Sequence, residues 1–152
     1  TVGSLVLADT RAEAEPPEDM QARRDTAQAL RANGTEEFVE AFVPRALGPH
    51  PRASVVERLT ALASAQSAEA MADATLAIAG RDEHTGTLAT ITAPTLVIVG
   101  EHDAITPPAL STAMAAALPH AALAIIGGAG HMTAIEQPEE FAALLLQHEL
   151  PA

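Results

Sequence analysis

Asp103 and His131 are the two residues of this chain whose types and settings could do chemistry together. Asp103 follows the run Thr95–Val99, closed by Gly100, and precedes Thr106-Pro107-Pro108. His131 ends the glycine-rich stretch Gly127-Gly128-Ala129-Gly130. An aspartate that orients a histidine leaves the imidazole free to act as general base toward a nucleophile, the second half of a Ser-His-Asp triad. Each residue also has a plainer use. Asp103 suits a helix N-cap ahead of Pro107, and His131 suits a loop histidine hydrogen-bonded for structure. Glu101, His102 and Asp103 could be read together as metal ligands, but Glu and His at adjacent positions of a strand end should diverge. No metal is expected.

The elements around these residues predict how the two would meet. Thr95–Val99, rich in β-branched residues and led in by Pro94, reads as a buried parallel strand, apolar on both faces. Ser4–Ala8 is a similar run ending at Asp9-Thr10, and Ala121–Ile126 is a third. Open α/β sheets carry their chemistry at the carboxyl ends of such strands, where both Asp103 and His131 fall. Gly128 and Gly130 would let a tight loop swing the imidazole over the sheet.

Between the first two strands the spacing predicts four helices. They run over about 18–32, from Thr35 to Pro44, from about 51 or 52 to 66, and from Ser67 to Gly80, with Thr35 and Ser67 as caps. Pro44 should disrupt the second of them. Val55, Val56, Leu59 and Leu62 fall at helical spacing on the third. A short helical turn is expected at 87–91, a helix from Pro107 or Pro108 to Leu118, and a last helix from Pro138. On that last helix Phe141, Leu144, Leu145 and Leu146 should face the core. The fold class is thus α/β, about three parallel strands flanked by helices, with a four-helix insertion too long for a simple crossover. Residues 1–10 and 87–152 form the expected core and 11–86 a lid.

Composition narrows the partners. The net charge is −12, with eight arginines and no lysine, which argues against nucleic acid or an anionic membrane surface. Without cysteine there is no disulfide, thiolate metal site or cysteine nucleophile. No apolar run approaches the roughly 20 residues of a membrane span, and no signal peptide is visible, so a cytoplasmic protein is expected. Aromatics are only 2% of the chain, so the core must be built from aliphatic residues and a great deal of alanine.

Three stretches carry a resemblance: SLVLADTRAEA at the start, PTLVIVGEHDAITPP in the middle and GGAGHMTAIEQPEEF near the end. The chain resembles the C-terminal half of an α/β-hydrolase, in the esterase, enol-lactonase and haloperoxidase-like branch. The resemblance implies that Asp103 is the triad acid and His131 the triad base, with no cofactor. It makes 11–86 the lid that shapes a substrate pocket, where Phe38, Phe42, Met71 and Leu76 are candidate lining residues, although such spacing also suits simple core. The nucleophile elbow G-x-S-x-G is absent. Ser4, Ser54, Ser64, Ser67 and Ser111 all lack its context, and the oxyanion donors that accompany it should be missing too.

Three roles follow as expectations. The chain could be the C-terminal part of a serine hydrolase of carboxylic esters or lactones, inactive until joined by its N-terminal half. It could be a non-catalytic half-domain whose apolar first strand, Ser4–Ala8, is a sheet edge that pairs with a second copy as a homodimer. It could also be a small-molecule binding module using the lid pocket without turnover.

Overall fold

The computed structural model describes residues 2–148; the outermost bounds of the expected core, 1 and 149–152, lie outside them. Strand β1 (Leu5–Ala8) is followed by helices α1 (Pro17–Asn33), α2 (Glu36–Ala46), α3 (Ala53–Ser64) and α4 (Ala68–Ala79). A 3-10 turn at Thr85–Thr90 leads to strand β2 (Thr95–Gly100), helix α5 (Pro108–Ala117) and strand β3 (Ala121–Ile126). The chain closes with a short helix α6 (Thr133–Glu136) and helix α7 (Pro138–Gln147). The sheet has the order β1-β2-β3 and both pairings are parallel, Leu5 opposite Thr95 and Thr95 opposite Ala121.

Strand alternation divides the core in two. Val97, with Leu7 and Ala121, packs under α5 against Met114 and Leu118. Leu96, Ile98 and Ile126 face the other way, toward Phe141 and Leu144 of α7. All six residues of β2 are buried, because the central strand is covered on both faces and paired along both edges. This is why its sequence reads as continuous apolar chain rather than alternation. On α7 the outcome departs from expectation: Leu145 is 39% and Leu146 81% exposed. With 3.6 residues per turn, Phe141 and Leu144 share the face on the sheet, and Leu146 points away from it.

The insertion forms two helix pairs. Helix α1 lies against α4 through Ala27, Leu30 and Ala72, and Ala27 and Ala72 let the helices approach closely. Helices α2 and α3 pack through Val39, Val43, Val55 and Leu59, and this cluster reaches Ile105, Met132 and Ile135 beyond the strand ends. Leu62 does not join it and is 48% exposed. Ser67 caps α4, its side chain accepting from the Ala70 N–H at 3.1 Å. Thr35 occupies the same position on α2 without a side-chain cap bond. Nor does Pro44 end α2, which runs on to Ala46; in the last turn the ring is tolerated at the cost of one hydrogen bond. Gly34, at φ 86°, stops α1. At the opposite end of the sheet His148 lies 2.8 Å from the Ser4 hydroxyl, tying the end of α7 to the start of β1.

Candidate active site

Asp103 sits in the turn between β2 and α5 with its side chain fully buried. One carboxylate oxygen accepts from the Ile105 and Thr106 N–H groups, each at 2.8 Å. The other accepts from the Thr106 hydroxyl at 2.8 Å and lies 2.8 Å from His131 Nδ1. One residue therefore both closes its own turn and holds the imidazole; it does not cap α5, which begins after Pro107 with no side-chain cap bond. Burial alone would raise this carboxyl, but the hydrogen bonds from His131 and Thr106 outweigh it and hold Asp103 below the usual carboxylate range. Since an ionised carboxylate only accepts, the network assigns the proton to Nδ1 and leaves Nε2 as the free lone pair.

The loop bearing His131 is clamped from two sides. A Cβ on Gly100 would lie 2.0 Å from the Gly130 carbonyl oxygen, and one on Gly130 would lie 2.5 Å from the Leu47 carbonyl carbon. The backbone of the loop thus presses directly on the end of β2 and on the α2–α3 connection, which no larger residue would allow. The His131 N–H donates to the Ala46 carbonyl at 2.7 Å, and the His102 N–H to the Ala129 carbonyl at 2.9 Å. Glu136, buried in α6, completes the clamp. Its Oε1 accepts from the Gly130 N–H at 2.7 Å and the Met132 N–H at 3.3 Å, and its Oε2 from the Gly48 N–H at 2.7 Å. The Thr133-x-x-Glu136 spacing matches a capping box, but none forms: Thr133 gives its N–H and hydroxyl to Asp9, and Glu136 takes the loop and insertion N–H groups instead.

Asp9, just past β1, is a further carboxylate at the site. It stands at φ 49°, left-handed backbone that Asp tolerates better than most residues. Its Oδ2 accepts from the Thr133 hydroxyl at 2.5 Å and the Thr133 N–H at 3.2 Å, while its buried Oδ1 has no partner among the described residues. Desolvation dominates over these hydrogen bonds and pushes the Asp9 carboxyl up to about 6. The signal available in sequence was its place at a strand carboxyl end, the same that singled out Asp103.

These groups open onto a cavity of about 540 Å³ between the strand ends and the insertion. Asp9, Thr106 and His131 form its floor, and the stacked rings of Phe38 and Phe42, centroids 5.6 Å apart, line it from α2. Met71 and Leu76 do not line it; they pack with Ala27, Leu30 and Ala72 between α1 and α4, the simple-core alternative for their spacing. No serine lines the cavity. Glu101 and His102 approach each other to 3.6 Å at the surface instead of diverging, while Asp103 turns inward. Among the described residues no group of three His, Cys, Asp or Glu side chains is placed to share a metal ion, and no helix is long and apolar enough to cross a membrane. The arrangement can orient an imidazole and accept a proton at Nε2.

Comparison with known proteins gives this arrangement a context. No curated protein matches the chain. Among solved structures it is similar to a thermophilic esterase from Thermogutta terrifontis, solved with malate bound, at 33% identity and a TM-score of 0.91, covering 95% of this chain and 54% of that one. A hydrolase from Pseudomonas aeruginosa is similar at 27% identity and a TM-score of 0.80, covering 95% of this chain and 54% of that one. The enol-lactonase from Burkholderia xenovorans shares the fold at 24% identity and a TM-score of 0.81, covering 95% of this chain and 55% of that one. The chain thus spans just over half the length of the structures it matches. The model of the alpha/beta hydrolase family matches residues 1–144, nearly the whole sequence. This chain belongs to the alpha/beta hydrolase family.

Proposed function

We propose that this chain supplies the acid and the base of a Ser-His-Asp hydrolase of carboxylic esters or lactones. The observation that carries the proposal is His131, held through Nδ1 2.8 Å from buried Asp103 and lining a cavity that no serine lines. In this reading Nε2 takes the proton of an incoming nucleophile hydroxyl and later returns it to the leaving group. Asp103 keeps the tautomer fixed and stabilises the imidazolium. An esterase and an enol-lactonase stand among the similar structures, and the chain spans just over half of either. The nucleophile and the oxyanion donors would come from a segment outside these 152 residues, so the chain alone should be inert.

The open edge of β1 is the natural seat for that segment. Among the described residues β1 pairs only with β2, leaving its other side unpaired. A second copy of the chain could take the same edge and give the non-catalytic homodimer. The test is hydrolysis of p-nitrophenyl acetate by the chain alone and after mixing with a polypeptide carrying the G-x-S-x-G half. We expect background rates alone and turnover on mixing, abolished by His131→Ala. Turnover by the chain alone, or none from a complex shown to have formed, would overturn the proposal. Sedimentation of the chain by itself separates monomer from homodimer.

A further inference from the structure

The chain carries 20 acidic and eight basic residues, yet the cavity inverts that ratio. Four of the eight arginines line it: Arg11 after β1, Arg23 on α1, Arg45 in the last turn of α2 and Arg81 just past α4. The acids on the same wall are Glu15 and Asp9. Glu15 is 6% exposed and takes both Arg11 and Arg23, one on each oxygen. Arg45 and Arg81 form no ion pair among the described residues. Arg81 is half-buried, and its one hydrogen bond there is a 3.4 Å contact to the Arg11 carbonyl. Arg24 and Arg58 also form no ion pair among the described residues, but they are exposed outside the cavity, while on the outer surface Arg31 engages both Glu69 and Asp73.

Four arginines brought together from four different elements repel one another unless an anion is shared between them. Glu15 supplies one such anion, enough for the pair it touches. The cavity therefore keeps an unbalanced positive charge beside His131, in a chain that is otherwise strongly negative. A low-dielectric wall concentrates this field on whatever enters. Guanidinium forks match a carboxylate in two parallel hydrogen bonds, more directionally than an ammonium could.

We propose that the cavity binds the free carboxylate of an organic acid through Arg45 and Arg81, so that the ester or lactone turned over carries a carboxylate away from its reacting carbonyl. As a statement about substrate this rests on the ester-hydrolase reading; as a statement about binding it does not. The experiment accordingly reads binding on the chain alone. Monomethyl glutarate, dimethyl glutarate and inorganic phosphate are titrated separately while the arginine Nε–Hε and His131 resonances are followed by NMR. Arg45→Met/Arg81→Met removes two charges from the cavity, and Arg24→Met/Arg58→Met removes two from exposed positions outside it.

We expect a saturable shift with the monoester, weakened about tenfold in the cavity variant and unchanged within about twofold in the outer one. The dimethyl ester should leave the spectrum unmoved. Three results would overturn the proposal: no saturable shift, equal weakening in both variants, or equal binding of the dimethyl ester. Tighter binding of phosphate than of the monoester would overturn the carboxylate assignment and leave a general oxyanion site. None of these outcomes depends on turnover, so a failed hydrolysis assay and a failed binding site remain separate results.

Discussion

The two walls of the cavity are built in opposite ways. On the strand side, the His131 loop meets β2 and the α2–α3 connection through bare backbone at Gly100, Gly130 and Gly48, with Glu136 bridging N–H groups on both parts. On the insertion side stand long arginines and two stacked rings, several of them partly exposed. A wall of backbone contacts cannot yield without moving the main chain, and it fixes where Nε2 points. A wall of flexible side chains can adjust to what it meets. Tolerance to substitution should therefore differ sharply across a few ångströms.

The largest effect is expected at Gly100→Ala. The added methyl would collide with the Gly130 and Ala129 carbonyls at 2.0 and 2.5 Å, backbone atoms with nowhere to go. We expect a loss of at least about 3 kcal/mol, read from urea denaturation. Retention of parental stability would mean the loop is not held as tightly as its contacts imply. Glu136→Ala comes next. It would leave the Gly48 and Gly130 N–H groups buried without acceptors, each worth about 1–3 kcal/mol. A loss near 3 kcal/mol together with a shifted His131 resonance would support the clamp. A loss without any change at His131 would make Glu136 a stabiliser only.

The same contrast explains what could be read before the structure. The three strands were legible because β-branched, uninterrupted apolar runs have few other uses, and β2 is buried along its whole length. Asp103 and His131 were legible because each closes a strand and the two strands are neighbours. Glu136 was not, since its partners Gly48 and Gly130 carry no side chains to announce a contact. The arginine-lined cavity was also hidden: Arg11, Arg23, Arg45 and Arg81 lie on four separate elements, and only tertiary packing of the insertion gathers them. Amphipathic spacing misled at Leu62 and Leu146, where the helix buries a narrower stripe than its sequence offers.

Asp9 lies on the boundary between the two walls and tests the comparison through pH. Its carboxyl is raised from 3.8 to about 6 by desolvation, so the fold favours the protonated form. Asp9 therefore costs stability as pH climbs from about 4 to about 6, and the cost is constant above that. Asn at this position keeps an oxygen for Thr133, offers an N–H₂ group where Oδ1 has no partner, tolerates φ 49°, and does not titrate. Discounted for partial exposure, Asp9→Asn should stabilise by about 1 kcal/mol at pH 7 and by nothing at pH 4. Thermal melts of both proteins at the two pH values decide it. An equal difference at both would remove desolvation as the cause.

The smallest effect is expected on the adjustable wall itself. Phe42 stacks on Phe38 at 5.6 Å and packs against the α2–α3 core, but its ring is only partly buried and one side faces the cavity. Leucine of similar reach would keep most of the contact with Val39 and Val55 and lose the ring–ring attraction. Phe42→Leu should thus cost about 0.5 kcal/mol, near the low end for an aromatic pair. The urea midpoint would barely move and the His131 resonance should stay in place. A loss as large as that of Glu136→Ala would show that the insertion wall is as rigid as the strand wall, and the division of labour between them would fall. A small loss accompanied by altered monomethyl glutarate binding would place Phe42 where its geometry puts it, on the surface that a ligand meets and off the frame that holds the imidazole.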